Sequence, residues 1–392
     1  MSGIPIAAPV LTWAQHRSGR GDDEIRKKFS DWDKWLSFEK KPSFAQVEKV
    51  ADFTRVPLGY FFLPVPPIEK LPIPDFRVGR SAPIEASEDL FETIYLNQRR
   101  QAWYEDYLAD FGEPERLTFV GSTADFSVEK AASTISDALE YGVEKRAQFR
   151  NIDDARLYLI ETFEDLGGLA VLNSMVANNT HRMLDIEEFR GFTLQSEFAP
   201  LVFVNANDTK NGQVFSLLHE FAHVWRGETG VSQGGAPLQD RDIELEKWCD
   251  GVAAEIAVPS TDLKREFSSE HELVDELERL AKRYFCSTLV VLLRLRDIGL
   301  VDRSKQEQAR NLEILERKSA KGVGGDFYNS QLYKVGRTLS RAIVSDTKSG
   351  NTLMLEALRL LSFSKIQVFD KYADILPALA GGFGQQGRGG QR

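Results

Sequence analysis

The sequence predicts an α+β fold, in which a small sheet precedes one long buried helix and helical segments lie on either side. Three short apolar runs, at residues 169–172, 190–194 and 201–205, have the length and composition of buried strands. Most of the remaining chain has apolar residues at helical spacing, as in the stretch 90–108. Strands that are collected ahead of a long helix indicate an α+β domain.

Residues 9–64 have the pattern of a small helical domain of the repressor-type helix-turn-helix class. Helical apolar spacing recurs at 10–17, 22–29 and 44–53. Ser43 is placed to cap the last of these helices, because its hydroxyl can accept a hydrogen bond from a free backbone N–H of the first turn.

The segment 30–38, where a recognition helix would lie, argues against DNA binding. It carries Asp31 and Asp33, whose carboxylates would face phosphate groups of the same charge. Trp32 and Trp35 are better explained as core residues or as contacts with a protein partner. The sequence therefore favours a degenerate helix-turn-helix used for packing or protein recognition, and DNA binding is the less favoured alternative.

A proline-rich connector follows, at 61–67 and 71–74, which we expect to be extended because proline lacks a backbone donor and disfavours helix in the preceding residue. Two further helices are predicted at 128–140 and 152–166, and the second ends at the pair Gly167-Gly168.

The most informative motif is His219-Glu220-Phe221-Ala222-His223, within an apolar run. Two histidines four residues apart lie on one face of a helix, where both imidazoles can bind a single Zn²⁺. Glu220 lies between them and can act as general base toward a water molecule at that metal. The motif alone lacks a third ligand, which a catalytic zinc site requires.

The stretch 244–255 offers candidates for that ligand. If it is helical, Glu246 and Asp250 fall on one stripe, with the small Ala253 beyond them. One carboxylate can bind the metal while the other orients a ligating histidine. Glu244 is a rival ligand that lies off the stripe.

Glu246 to Pro259, EKWCDGVAAEIAVP, resembles the second-helix signature of the ImmA/IrrE family of zinc metallopeptidases. Departures from that signature occur at four positions: Cys249, Asp250, Val252 and Ala257. The similarity extends to the long members with an amino-terminal helix-turn-helix-like segment. It includes 43–67, 74–77, 188–194, 200–205 and 280–300.

This resemblance implies a zincin-like metallopeptidase core, with a small sheet and an active-site helix, flanked by an all-α amino-terminal helix-turn-helix-like domain and a helical carboxy-terminal unit. It makes Glu246 the third ligand beside His219 and His223, as in gluzincins, with Glu220 as the catalytic base. Asp250 would lie behind the ligands and stiffen them. The cofactor implied is one Zn²⁺ per chain, and Mn²⁺ or Fe²⁺ would suit the same donors.

We accordingly predict five segments. They are a helix-turn-helix-like domain at 1–70, the connector and a helix at 71–124, the zinc metallopeptidase domain at 125–303, a helical unit at 304–380 and a disordered glycine-rich tail at 381–392.

The function that the resemblance implies is endoproteolysis of a helix-turn-helix transcriptional repressor, which would release a stress-response or mobile-element programme. Two alternatives stay open: a DNA-binding transcriptional regulator, and a toxin–antitoxin or phage-defence interaction protein. Either would use the zinc domain as a scaffold or sensor. Both leave Glu220 without a purpose, because a structural zinc site needs no general base.

Two features of the substrate site are open at the level of sequence. His181 is a candidate hydrogen-bond donor to the oxyanion, although the surrounding Asn178-Asn179-Thr180 favours a surface loop. The strand at 190–194 or that at 201–205 could pair with an extended substrate, or both could be internal to the sheet.

Composition predicts a cytoplasmic protein. The only cysteines are Cys249 and Cys286, which argues against a disulfide framework. We find no signal region and no apolar stretch long enough to span a bilayer, so no membrane partner is expected. The net charge of −10 does not indicate nucleic-acid binding by the molecule as a whole.

Overall fold

A computed structural model describes residues 3–67, 71–76, 86–232, 240–301 and 327–379. The chain divides into two compact units, one made of Met1–Pro72 with Ile84–Tyr95 and the other of Ile73–Pro83 with Leu96–Arg392. The glycine-rich tail predicted at 381–392 lies outside the described residues. The five predicted segment boundaries stay predictions.

The first unit is helical, as the apolar spacing predicts. Its elements are α1 (Ala8–Arg17), α2 (Asp22–Lys28), α3 (Trp32–Leu36), α4 (Phe44–Thr54) and a 3-10 helix (Leu58–Phe62). The 3-10 helix takes up the start of the proline-rich connector, which was expected to be extended. Tight turns of this kind need only a few residues between the prolines at 57 and 64.

Two local predictions in this unit are confirmed. Ser43 caps α4: its hydroxyl accepts from the backbone N–H of Gln46, whose side chain bonds back to the Ser43 N–H at 2.8 Å. Trp32 and Trp35 are both buried in the core. They are therefore core residues of this unit and not an exposed surface for a partner.

The second unit contains a mixed sheet of five strands. They are β1 (Asp75–Phe76), β2 (Leu169–Asn173), β3 (Gly191–Leu194), β4 (Leu201–Asn205) and β5 (Gly230–Ser232), in the order β1-β5-β3-β4-β2. β4 is parallel to β2 and antiparallel to β3, while β5 is antiparallel to β3 and parallel to β1. The three predicted strands form the centre of this sheet, and the α+β prediction is confirmed.

β3 and β4 each have a neighbour on both sides. Of the two interpretations that the sequence left open, internal strands are what the structure has. A substrate could not pair with the backbone of either strand without displacing a strand of the chain itself.

Helices cover the sheet and continue beyond it. In chain order they are α5 (Glu88–Ala109), α6 (Val128–Ala138), α7 (Val143–Arg146), α8 (Ile152–Asp165), α9 (Lys210–Arg226), α10 (Asp240–Ala257), α11 (Ser260–Glu266), α12 (Leu273–Tyr284), α13 (Thr288–Asp297), α14 (Phe327–Val335), α15 (Arg337–Lys348), α16 (Met354–Leu360) and α17 (Ile366–Leu379). The helices predicted at 90–108, 128–140, 152–166 and within 331–361 are all present.

α9 is the central helix of this unit. It packs against β3 and β4 on one side and against α8 and α10 on the others, so nearly every residue from Gln213 to Trp225 is buried. α10 packs closely on α9 because Ala253 and Cys249 are small and buried there. The carboxyl end of α10 is held by buried Arg146, which donates to the carbonyls of Ile256 at 3.1 Å and Ala257 at 2.5 Å.

Candidate metal centre

The histidine pair lies on α9, and local sequence signals define the ends of that helix. Thr209 caps its amino end by accepting from the N–H of Gly212 at 3.1 Å. Gly227 ends it in the left-handed conformation, with φ of 85°, and donates to the carbonyl of His223 at 2.9 Å. Between these ends the helix holds both histidines rigidly in the core.

His219 and His223 face each other one turn apart. Their Nε2 atoms are 3.2 Å from one another, and both side chains are buried. Glu246 of α10 completes the group, with Oε2 at 3.4 Å from Nε2 of His219 and Oε1 at 3.1 Å from Nε2 of His223. One ligand atom from each of the three residues lies within 4.8 Å of the others.

Glu246 is the carboxylate that the structure brings to the histidines. The rival Glu244 is exposed on α10 and does not take part in the cluster. Glu246 Oε1 is a buried atom without a hydrogen-bond partner within the described protein. A buried carboxylate oxygen in that state, beside two imidazole nitrogens, fits a cation well.

Asp250 lies one turn after Glu246 and contacts His219 from behind. Its Oδ1 is 2.9 Å from Nδ1 of His219. Because an ionised carboxylate can only accept, Nδ1 carries the hydrogen and Nε2 is left with the lone pair that a metal needs. The donor set of two imidazoles and one carboxylate is that of a zinc site with an open position.

The interactions within the cluster shift the pKa values of its members in opposite directions. Burial alone would lower the pKa of His219, but hydrogen bonds with Asp250 and Glu246 raise it well above its ordinary value. Burial alone would raise the pKa of Glu246, but the two histidines hold it at about 2. Protons and a metal ion therefore compete for Nε2 of this histidine.

Glu220 points from α9 toward the sheet and is almost completely buried, with 1% exposed. Its Oε2 accepts a hydrogen bond from the hydroxyl of Thr193 on β3 at 2.8 Å. Gly191, two residues earlier on the same strand, lies against its other oxygen, Oε1. Sequence reasoning missed both strand residues. Their spacing of two on a predicted strand is the one signal that could have pointed to them.

His181 lies in an exposed turn, where its backbone N–H donates to Asn179 Oδ1 at 3.0 Å. It is not part of the buried cluster. His181 is thus exposed in a turn, as the surface-loop interpretation predicts, and its role toward an oxyanion stays a prediction.

Two segments of the chain match known protein families. Residues 172–296 match the IrrE N-terminal-like domain, Peptidase_M78, and so contain the sheet strands β3 and β4, the histidine pair and Glu246. Residues 335–375, which span α15 and α16, match a domain of unknown function, DUF8813. No curated protein matches the chain. Among the helices of the described ranges, none is both long and apolar enough to cross a membrane.

Proposed function

We propose that this chain, which contains an IrrE-like metallopeptidase domain, is a zinc-dependent endopeptidase. The observation that carries the proposal is the buried cluster of His219, His223 and Glu246 beside a buried glutamate, Glu220. A structural zinc site closes its coordination with a fourth protein ligand. Within the described residues this cluster has three, which leaves a position for water and substrate.

In this mechanism the three clustered residues would hold the ion, and Asp250 would keep His219 in the tautomer that binds it. The zinc ion would supply Lewis-acid polarisation of the scissile carbonyl and of the attacking water. Glu220 takes the proton of that water at its carboxylate and then delivers it to the leaving amine. The two histidines, Glu220 and Glu246 are buried, so solvent screens their charges less than it would at the surface.

The substrate we propose is a helix-turn-helix transcriptional repressor, cut so that a stress-response or mobile-element programme is released. Support for this substrate comes from the family resemblance. We place the activity in the cytoplasm, because Cys249 and Cys286 are both free and buried, as suits a reducing compartment.

The test is co-expression of the full chain with candidate repressors from the same genome. Intact-protein mass spectrometry then detects any repressor fragments. The wild-type protein should produce a discrete fragment, and chelation should abolish it. Glu220→Gln is the matched control: it should retain its metal, measured by elemental analysis, and produce no fragment. The same elemental analysis identifies the ion as zinc, manganese or iron.

Equal effects of the wild type and of Glu220→Gln on a repressor-controlled reporter, with no fragment, would contradict the proposal. That result would favour a regulator that acts by binding. A stoichiometric dependence on protein amount would then point to an interaction protein, and loss of the effect on changing residues 30–38 would point to a DNA-binding regulator.

A further inference from the structure

The carboxylate of Glu220 rests in a cradle formed by two residues of β3. Gly191 and Thr193 alternate with Phe192, so both face α9 from the same side of the strand. Thr193 is fully buried, and its hydroxyl lies 2.8 Å from Oε2 and 3.2 Å from the backbone oxygen of Glu220. A single side chain of the sheet thus contacts both ends of the glutamate.

Gly191 makes room for the other carboxylate oxygen. A Cβ atom at this position would lie 2.6 Å from Oε1 of Glu220 and 2.8 Å from the backbone oxygen of Phe203. Gly191 is not in the left-handed region, so backbone conformation does not call for glycine here. Glycine therefore leaves space both for the Glu220 carboxylate and for the backbone oxygen of Phe203 on β4.

The bond made by Thr193 differs from those of three buried or half-buried threonines that lie within helices. Thr54, Thr93 and Thr347 each donate to the carbonyl four residues earlier in their own helix. Such bonds satisfy a hydroxyl locally and orient nothing else. Thr193 instead reaches a carboxylate on a different element, 27 residues away in the chain.

The platform beneath the cradle is rigid. Gly191 and Thr193 are paired with Val204 and Val202 of β4, and the same residues pair with β5 on the other side. A glutamate side chain has several rotatable bonds, so without restraining contacts it would populate many orientations that cannot take the proton. Contacts from a doubly paired strand remove that freedom before the substrate arrives.

We infer that Gly191 and Thr193 are positioning residues, which hold the Glu220 carboxylate in the orientation from which it takes the proton of the attacking water. The inference rests on the proposed peptidase function. It assigns to β3 a part in catalysis that needs no contact with the metal or with the substrate.

The first test replaces Thr193 with valine, which keeps the branched shape and removes the hydroxyl. On the fragment-yielding repressor, kcat should fall by about 10- to 100-fold, as on loss of other residues that orient a functional group, while KM and zinc content stay near wild type. Thr193→Ser, which keeps the hydroxyl, should recover most of the lost kcat. A threonine with a merely structural role would not show this loss of kcat at unchanged KM and zinc content, together with recovery of kcat by serine.

Gly191→Ala tests the cradle from its other side, because the added methyl group would press on Oε1 of Glu220 and on the backbone oxygen of Phe203, and should lower kcat. The matched control is Thr54→Val, which removes a buried hydroxyl in the first unit and should leave kcat unchanged. If Thr193→Val does not fold, Thr193→Ser and Gly191→Ala still carry the test.

The inference is overturned if folded, zinc-loaded Thr193→Val cleaves with wild-type kcat, or if the serine variant is as slow as the valine variant. Either result would leave the proposed function intact. If the zinc-loaded wild type itself cleaves nothing, the proposed function fails and this inference fails with it.

Discussion

Glu246 on α10 and Glu164 on α8 are both buried carboxylates of the second unit, yet their pKa values lie on opposite sides of the ordinary one. Burial raises the pKa of Glu164 to about 7, although the Thr338 N–H and Arg337 oppose that shift. Burial acts on Glu246 in the same sense, but His219 and His223 hold its pKa at about 2. Burial is common to the two sites, so the partners account for the difference.

The partners also show what each carboxylate is for. Glu164 Oε1 accepts from the backbone N–H of Thr338 at 3.1 Å, at the start of α15, and thus ties that helix to α8. Glu246 instead faces two imidazoles, those of His219 and His223. A buried carboxylate that serves the backbone is structural, whereas one that faces only histidines marks a ligand site.

Replacing Glu246 should have a much larger effect on metal binding than replacing Glu164. Glu246→Gln should reduce zinc occupancy from one ion per chain to nearly none and abolish cleavage, because an amide is a poor ligand beside two histidines. Glu164→Gln should keep a full ion. Elemental analysis of the purified proteins measures both.

Glu244→Gln serves as the control on α10 itself, since Glu244 is exposed and outside the cluster. A variant of Glu246 that retained zinc at wild-type affinity would contradict the assignment of the third ligand.

The second prediction concerns the pH dependence of stability. A carboxyl whose folded pKa is raised stabilises the fold fully below pH 4.5, and this contribution is lost as the pH rises through about 7. At about 1.4 kcal/mol per pKa unit, the shift of Glu164 amounts to a loss on the order of 3 kcal/mol.

Glu164→Gln keeps an oxygen that can accept from Thr338 and removes the titration. The difference in free energy of unfolding between wild type and variant should therefore change between pH 4.5 and 8, as measured by urea denaturation. Parallel curves for the two proteins would show that Glu164 does not titrate in this range.

How much of the metal centre the sequence could predict depends on the range of the interactions. His219, Glu220 and His223 are neighbours on one helix, so their geometry follows from helical spacing alone. The same spacing places two candidate third ligands, Glu246 and Asp250, on one face of the next helix. The resemblance to the ImmA/IrrE family then selects Glu246. Ser43 was predictable because capping is a local contact.

Gly191 and Thr193 could not be predicted as partners of Glu220. Their role depends on which face of β3 meets α9, and that face is decided by the register with β4 and β5. The strands β1 and β5 were missed for a related reason: two or three residues are too few to show an alternating pattern, and pairing with neighbours defines them.

The third prediction concerns Asp250, which contacts the metal ligand His219 from behind. Asp250→Asn should weaken zinc affinity by about 10- to 100-fold, because a neutral amide polarises His219 less and no longer fixes its tautomer. Competition with a chromophoric chelator measures the affinity. Affinity in the wild type should also fall as the pH is lowered, because the raised pKa of His219 means that protons compete with zinc.

Asp250→Asn should keep the fold, since Asp250 is exposed apart from this one contact. Unchanged affinity in the variant would show that the helix alone orients His219.

The smallest expected effect concerns a second histidine–glutamate contact, which tests whether such a pair is enough to make a metal site. His271 Nδ1 lies 2.8 Å from Oε2 of Glu276, whose side chain is fully buried and also accepts from Arg279 and from the N–H of Ser268. Arg279 is the main cause that holds the pKa of Glu276 at about 2, with further contributions from His271 and Ser268.

His271→Gln should therefore lower the free energy of unfolding by only about 1 kcal/mol, the usual contribution of one hydrogen bond, and leave zinc content and kcat unchanged. Loss of zinc from this variant would mean that a second ion binds outside the cluster. Full retention would show that it is the convergence of two imidazoles on one buried carboxylate, and not a histidine–glutamate contact as such, that distinguishes the metal centre.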